Sequence, residues 1–209
     1  MTRPYYNTYL TDGTTYALIE ATLFEGISDV NLKDHKEKWL PLLLGARQEA
    51  NARPAQGQHV ARVEDAHWDW SRKVKTYRVS LSHRHFAVEC AADTQGLMQL
   101  ELTHRSRIDP GQHLIYIDLL SVAPWNRKKL VERPRLIGVG SVLFTQAVGT
   151  SLEEGFSGRV GLHSLPTSAD WYRKQRMQSF GPDPAYPSGL EYFEMSPDEA
   201  EKHIQRVSE

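Results

Sequence analysis

Two glycines one residue apart, Gly138 and Gly140, mark the segment of this sequence whose residue types most directly suggest chemistry. They lie in the stretch RPRLIGVGSVLF, residues 133–144, where a basic, proline-containing run gives way to an apolar one. The first turn of a helix carries N–H groups without intrahelical partners, and glycine lets an anion approach them closely. Arg135 adds a positive charge just upstream. The segment therefore predicts either a loop that holds an anion or a turn that only starts a helix.

The spacing of these glycines argues against two familiar nucleotide-binding loops. The order Arg-x-x-Gly-x-Gly lacks the third glycine of the G-x-G-x-x-G dinucleotide fingerprint. It also lacks the Gly-Lys-Ser/Thr ending of a nucleoside-triphosphate P-loop. A Rossmann-type nucleotide binder is therefore not expected.

The composition indicates a soluble globular protein with a sizeable core. The chain has 209 residues, which fits one domain, and 24% of them are charged. Its formal net charge of −1 provides no basic field, so neither a nucleic-acid partner nor a membrane is expected. No stretch has the length of a signal-peptide core or a membrane span. Cys90 is the single cysteine, which fits a reducing compartment, and we expect a cytoplasmic protein.

Residues 1–82 are predicted to be mainly helical. Apolar residues within Thr14–Phe24 follow a helical pattern, and a second helix is expected from about residue 33 to 52. Pro41 should kink or split that second helix, and residues 53–60 read as a polar connection.

Residues 83–195 predict a mixed α/β sheet. Two strands, 85–91 and 97–103, flank a predicted turn at 92–96 and form a hairpin. A nearly continuous apolar run, 113–122, predicts a strand buried on both faces at the centre of the sheet. The elements expected after it are a loop to about 135, a helix to about 154, a strand at 158–165, a helix at 169–177 and a strand at 190–195. This order predicts one crossover unit, and a capped helix is expected in 196–209.

The ordered set of motifs in residues 83–195 resembles the GNAT superfamily of acyl-CoA-dependent N-acetyltransferases. The matching pieces are YIDLLSVAP at 116–124, RLIGVG at 135–140, GRVGLHSLP at 158–166 and ADWYRK at 169–174. The resemblance implies a mixed, mostly antiparallel sheet with flanking helices and a central strand–pyrophosphate loop–helix unit. It also implies a single domain in which 1–82 is variable, 83–195 binds acyl-CoA and 196–209 is a tail helix.

The same resemblance implies that an acetyl group moves from acetyl-CoA, as co-substrate, to a primary amine by direct attack. The coenzyme pyrophosphate would lie on the loop, with the thioester oxygen near the backbone amide of Val122. The implied loop contacts are Arg135, Leu136, Ile137, Gly138, Val139, Gly140 and Ser141. Tyr172 matches the family tyrosine that protonates the departing thiolate, and a tyrosine that only packs its ring is the alternative. No cluster has the spacing of a metal site.

Asp118 is the first candidate for the general base, because a carboxylate within an apolar strand is costly unless it is paired or used. A buried aspartate paired to an arginine or to backbone amides is the alternative. Glu101 on the neighbouring strand and His163 in the strand after the helix are the reserves. A chain of water molecules could also replace a dedicated base.

The sequence departs from the family pattern in two places. Segment 125–134 is longer than in many family members, and its basic residues would either contact coenzyme phosphates or belong to a solvated loop. They are Arg127, Lys128, Lys129 and Arg133. The family asparagine before the tyrosine is replaced by the Leu165-Pro166 region, which leaves the far end of the coenzyme less defined.

Three other residues have a plain structural explanation. Trp68 and Trp70 fit core or interface packing, with a place in the acceptor pocket as the alternative. Cys90 fits a small buried apolar residue, since direct attack needs no acyl-enzyme.

The acceptor amine is not identified by the sequence, and a homodimer is compatible with the resemblance. One rival reading is an acyl-CoA-binding or regulatory module without catalysis. Another is a toxin- or defence-type acetyltransferase of aminoacyl-tRNA or protein. The near-neutral charge disfavours tRNA, although a local basic patch at 127–135 could compensate.

Overall fold

The structure is a computed structural model that describes residues 3–52, 63–186 and 189–208. Within these ranges the strands form one sheet in the order β6-β1-β2-β3-β4-β5-β7-β9-β8. The strands are β1 Tyr5–Asp12, β2 Leu18–Glu25, β3 His83–Cys90, β4 Asp93–Glu101, β5 Ile115–Val122, β6 Leu136–Ile137, β7 Val160–Ser164, β8 Gln178–Pro182 and β9 Glu191–Met195. The predicted mixed, mostly antiparallel α/β sheet with flanking helices is confirmed.

The described residues divide into two compact units. The first comprises the chain up to Ser80 together with His85–Met98 and Leu120–Leu143. The second comprises Leu81–Arg84, Gln99–Leu119 and the chain from Phe144 onward. The expected single domain, with its divisions at 82 and 195, stays a prediction.

The predicted helix at Thr14–Phe24 is wrong, because this segment forms strand β2 of a hairpin with β1. The pairing runs from Tyr5↔Phe24 to Thr11↔Leu18. Asp12 sets the turn, since its carboxylate accepts hydrogen bonds from the N–H groups of Thr14 and Thr15 at 2.8 and 2.7 Å. The Asp-Gly pair at 12–13 is a hairpin signal that outweighs the helical spacing of the apolar residues.

Pro41, predicted to kink or split the second helix, lies in a helical segment that runs without a gap from Asp29 to Ala52 and changes to a π-helix just before it. The chain forms helix α1 at Asp29–Asp34, a π-helical segment at His35–Trp39 and helix α2 at Leu40–Ala52. Proline has no N–H to donate, and its ring crowds the carbonyl four residues earlier in an ordinary helix. The wider π-helical turn, in which the Leu40 N–H bonds the His35 carbonyl, precedes it directly. The expected connection at 53–60 lies outside the described residues.

The hairpin of β3 and β4 is confirmed, but the predicted turn at 92–96 is misplaced. The turn lies at Ala91 and Ala92, which both have positive φ, of 52° and 63°. Gly96 belongs to β4 because α4 packs directly on it: a Cβ there would lie 2.6 Å from Cγ1 of Val139. A glycine is therefore found at position 96 because α4 packs closely against it, and not because the chain turns there.

The crossover unit is confirmed by the parallel pairing of β5 with β7, in which Ile115 is opposite Val160. The other helices are α3 Trp70–Tyr77, α4 Val139–Glu153, α5 Ala169–Lys174 and α6 Pro197–Ser208. The predicted cap of α6 is present, since the Glu199 N–H donates to Oγ of Ser196 at 3.3 Å. Strands β1, β6 and β8 were not predicted. Among the helices of the described ranges, none has the length and apolar character needed to cross a bilayer.

Candidate functional site

Gly138 joins β6 to α4 in a conformation that favours glycine, with φ of +102°. Its carbonyl accepts the N–H of Val142 at 2.9 Å, so α4 is hydrogen-bonded from its first turn. The N–H groups of that first turn, from Val139 to Ser141, have no intrahelical acceptor. A Cβ on Gly140 would meet only Cγ2 of Val122, at 3.7 Å. The loop therefore has the backbone geometry of an anion site.

A buried glutamine anchors the segment that leads to this loop. Gln95 is 2% exposed, and its Oε1 accepts hydrogen bonds from Nε1 of Trp125 and Nδ2 of Asn126 at 3.0 and 2.9 Å. Oδ1 of Asn126 then accepts the N–H of Leu136 at 2.9 Å. Sequence analysis missed Gln95 because it was placed in a turn.

The tip of the first hairpin contacts the same loop. The Gly13 N–H donates to the carbonyl of Arg135 at 2.9 Å. A Cβ on Gly13 would lie 1.7 Å from the Pro134 carbonyl oxygen, so this close approach requires glycine. The Arg135 side chain is exposed, with its guanidinium carbon 5.5 Å from the centre of a Trp125 ring. Its charge is therefore placed beside the loop.

Arg127 fits neither of the two alternatives for this basic segment, because its side chain is half-buried and paired within the protein. Its terminal nitrogens bind both carboxylate oxygens of Asp65, at 2.8 and 2.7 Å. Its Nε donates to the carbonyl of Val122 at 2.6 Å. Burial alone would raise the pKa of Asp65, but Arg127 and the Ser121 hydroxyl outweigh it and hold that pKa below its usual value. Lys128 is exposed, as a solvated loop predicts.

The prediction that β5 is buried on both faces is only half right. Residues 117, 119 and 121 are buried, whereas Asp118, Leu120 and Val122 are half-buried and alternate with them. One face of β5 is therefore more open than the other, and the side chain of Asp118, the predicted base, belongs to that face.

Tyr172 lies on α5 with its ring packed among aromatic side chains. The centre of its ring is 6.3 Å from that of Phe144 and 6.0 Å from that of Phe193. The residue is 8% exposed, and burial raises the pKa of its phenol. The phenol is therefore protonated at neutral pH and suited to donate a hydrogen bond.

Asp118 and Glu101 both have partners in the second unit. Nε2 of Gln99 donates to Oδ2 of Asp118 at 2.6 Å. Glu101 accepts from the Thr103 hydroxyl at 2.5 Å, and its other oxygen is 3.1 Å from Nε2 of His104. Burial would raise the pKa of Glu101, but these two partners lower it, which makes Glu101 a weaker base.

His163 is held between two residues that sequence analysis did not identify. Its Nδ1 is 2.8 Å from the Tyr116 hydroxyl, and its Nε2 is 3.0 Å from Oδ2 of Asp183. Burial lowers the pKa of His163 more than Asp183 raises it. Tyr116 shares a face of β5 with Asp118, which was the available signal; Asp183 lies outside the predicted strands and offered none.

A buried carboxylate, Glu194, holds the segment whose Arg107 side chain binds Asp183. Glu194 is fully buried and accepts hydrogen bonds from the N–H of Arg107 at 2.8 Å and from the Ser106 hydroxyl. The Arg107 side chain in turn binds Asp183. His163 bonds Tyr116, and Asp118 acts on Tyr116 electrostatically. Glu101 is linked to Tyr116 through His104, whose ring stacks on that of Tyr116 at 4.0 Å.

The remaining sequence expectations concern burial and metals. Trp70 is 1% exposed, so its packing role is confirmed. Cys90 is buried, and burial raises its pKa, which agrees with a packing residue. Among the described residues no group of three histidine, cysteine or acidic side chains is arranged to hold a metal ion.

Comparison with known proteins gives a result at the level of fold. No family model matches the chain, and no curated protein matches it. RimJ of Mycobacterium smegmatis, solved in complex with CoA-disulfide, is 13% identical with a TM-score of 0.53, and the match covers 99% of this chain and 95% of RimJ. The GNAT domain of S. lividans PAT is 11% identical with a TM-score of 0.53, over 91% of this chain and 96% of that domain. FeeM, an N-acyl amino acid synthase from uncultured soil microbes, is 9% identical with a TM-score of 0.54, over 88% and 93%.

These likenesses show the fold: the chain has the mixed, mostly antiparallel sheet of GNAT acetyltransferases, with its helices flanking it. The resemblance seen in the sequence motifs is therefore confirmed at the level of structure.

Proposed function

We propose that this protein transfers an acetyl group from acetyl-CoA to a primary amine. The observation that carries the proposal is the Gly138–Gly140 loop at the start of α4, which follows the central strand of a GNAT fold. The coenzyme complex of RimJ, a protein of the same fold, supports this assignment. The acceptor is a small molecule, a polyamine or antibiotic, or a protein amine.

The loop fits a diphosphate in charge and in shape. The N–H groups of Val139, Gly140 and Ser141 carry the positive end of the helix dipole, and Arg135 adds a full positive charge. A Cβ at Gly140 would meet only Val122, at 3.7 Å, so this side of the loop has room for phosphate oxygens. Leu136 and Ile137 in β6 hold the loop to β1.

In the proposed reaction, the coenzyme supplies an activated acyl group that the amine attacks directly. The backbone amide of Val122 would donate a hydrogen bond to the thioester oxygen, where negative charge develops. Tyr172 would donate to the departing sulfur, because its buried phenol keeps its proton at neutral pH. Asp118, the base predicted from sequence, lies on the open face of β5, where its carboxylate can meet the acceptor ammonium.

The test is calorimetric titration with CoA, using two glycines of the same helix. Gly140→Ala should weaken binding at least about tenfold, equivalent to about 1.4 kcal/mol, because the methyl group occupies space that the phosphates need. Gly149→Ala is the matched control, since a Cβ there meets nothing within 4 Å. Absence of CoA binding by the unaltered protein, or equal affinity in both variants, would reject the site.

Catalysis is tested separately by thiol release from acetyl-CoA with a panel of amines. Release that depends on an added amine supports acetyl transfer. CoA binding without release would instead favour the acyl-CoA-binding module.

A further inference from the structure

Tyr116, His163 and Asp183 form a continuous hydrogen-bonded chain in the second unit. The Tyr116 hydroxyl is 2.8 Å from Nδ1 of His163, and Nε2 of His163 is 3.0 Å from Asp183. The side chains of His163 and Asp183 are only 8% and 7% exposed. Burial of two ionisable groups is costly, and such pairs concentrate at functional sites.

The direction of each hydrogen bond follows from charge. Arg107 and His163 hold the pKa of Asp183 far below its usual range, so Asp183 is ionised and can only accept. Nε2 of His163 must therefore carry the ring proton. Burial lowers the pKa of His163, so the ring is neutral at pH 7 and its Nδ1 accepts the proton of Tyr116.

The Tyr116 hydroxyl also has hydrogen-bond contacts with the Tyr186 side chain and with the backbone of His163. With its one proton directed to His163 Nδ1, its oxygen has two lone pairs, and an ammonium would take the place of Tyr186 at one of them. Tyr116 and Asp118 project from the same face of β5. Burial is the main cause that raises the pKa of Tyr116, its hydrogen bond with Tyr186 is the second, and the charge of Asp118 also contributes. An ammonium beside these two residues would find a carboxylate and a phenol oxygen together.

We propose that Tyr116 is a catalytic residue that takes a proton from the acceptor ammonium, with His163 and Asp183 as positioning residues. This rests on the acetyl transfer proposed above. One N–H bond of the ammonium breaks as an O–H bond forms on Tyr116. The original hydroxyl proton of Tyr116 moves to Nδ1 of His163. The products are a neutral amine, a neutral Tyr116 and an imidazolium paired with Asp183, so one proton has moved and charge is conserved.

The arrangement follows the logic of a serine–histidine–aspartate triad, in which an acid orients the imidazole and stabilises its charged form. Burial lowers the pKa of His163, so its ring is neutral at pH 7 and can receive a proton there. Asp118 would then hold the ammonium in place while Tyr116 receives its proton.

Stacked rings fix the orientation of the chain. His104 stacks on Tyr116 at 4.0 Å between ring centres, and Tyr186 stacks on His163 at 3.9 Å. The titratable and charged groups that surround it come from β4, β5, β9 and the segments before β5 and β9. They are Glu101, His104, Arg107, Asp118, Asp183, Tyr186, Tyr192 and Glu194.

The kinetic test compares two buried tyrosines that each lose only a hydroxyl. Tyr116→Phe should lower kcat at least about 100-fold, the usual scale of acid–base catalysis, with CoA affinity unchanged. Tyr192→Phe is the control. The Tyr192 hydroxyl donates to the buried Glu194 at 3.1 Å and is not part of the Tyr116–His163–Asp183 hydrogen-bonded series. Tyr192→Phe should keep kcat within about threefold. It loses one hydrogen bond, as Tyr116→Phe does, so the structural cost of the two changes is similar.

The pH profile separates this assignment from Asp118. The unaltered enzyme should lose kcat/KM on the acid side as His163 becomes protonated, and Asp118→Asn should keep that limb while raising KM. Loss of the acid limb in Asp118→Asn, with Tyr116→Phe near the unaltered rate, would overturn the proposal while acetyl transfer stands.

A spectroscopic readout is independent of turnover. Imidazole ¹⁵N resonances of His163, assigned with His163→Gln, should report a neutral ring with its proton on Nε2 at pH 7, and Tyr116→Phe should shift Nδ1. A charged His163 ring, or a proton on its Nδ1, would overturn the proposed direction of the Tyr116–His163–Asp183 hydrogen bonds. An unaltered protein that transfers no acyl group to any amine would reject the function and, with it, the proposal.

Discussion

The guanidinium of Arg127 grips the carboxylate of Asp65 at two points while its Nε donates to the Val122 carbonyl at 2.6 Å. The segment that departs from the family pattern is thereby tied to the end of the central strand. Its first basic residue serves to fix the backbone of the predicted oxyanion donor.

Arg127→Met should lower the free energy of unfolding by about 3 kcal/mol, because it leaves the buried Asp65 charge without its partner. Arg84→Met is the control, since the Arg84–Glu154 pair is about one third exposed on both sides and is worth under about 1 kcal/mol. Urea denaturation measures both. Equal losses in the two variants would show that burial of the Asp65 pair does not matter.

Acid should destabilise the fold before any carboxylate titrates. Burial lowers the pKa of His35, His163 and His203 in the folded chain. Below their unfolded pKa of about 6.5, the unfolded chain binds more protons than the folded one, so unfolding free energy falls as pH falls. Denaturation at pH 7.5 and 5.5 measures the slope, and His203→Gln should reduce it. Stability that is constant across this interval would contradict the prediction.

The turn between β3 and β4 can be improved. Ala91 and Ala92 both have positive φ, a backbone conformation that is unfavourable for alanine. Asparagine and glycine adopt it more readily. The double substitution Ala91→Asn, Ala92→Gly should raise the melting temperature, with a gain of about 1 kcal/mol. Ala50→Gly in α2 is the control and should cost about 1 kcal/mol. A loss in both would refute the assigned turn.

Gly96→Ala should displace α4. Its Cβ would lie 2.6 Å from Cγ1 of Val139 and 2.9 Å from Cδ1 of Leu143, inside contact distance. We expect a loss of about 1–3 kcal/mol from overpacking, together with weaker CoA binding, because Val139 begins the helix that bears the loop. Calorimetry at a temperature where the variant is folded checks the binding. Unchanged stability and affinity would contradict the prediction and mean that α4 accommodates the added methyl group without cost.

The core motifs could be predicted from sequence because each is local. The apolar run of β5, the glycine loop and the amphipathic α4 follow one another along the chain, and each has its own pattern. The β1–β2 hairpin could not be placed in the same way, because its apolar residues also fit helical spacing. Only the turn at Asp12 distinguishes the two.

The polar cluster could not be predicted because its contacts join distant parts of the chain. Tyr116 and His163 are 47 residues apart, and Asp65 and Arg127 are 62 apart. Asp183 lies outside any recognised motif, and only folding brings it to His163. Sequence analysis therefore identified His163 and Asp118 but not the residues that form hydrogen bonds with them and orient their side chains.

The contact of Gly13 with the Pro134 carbonyl has a consequence for natural and engineered variants. Any side chain at position 13 must displace residues 134–135, so the hairpin tip and the approach to the glycine loop cannot drift independently. Orthologues that carry another residue at this position should show a compensating change there. Insertion of a fusion tag at the tip would disturb residues 134–135 in the same way.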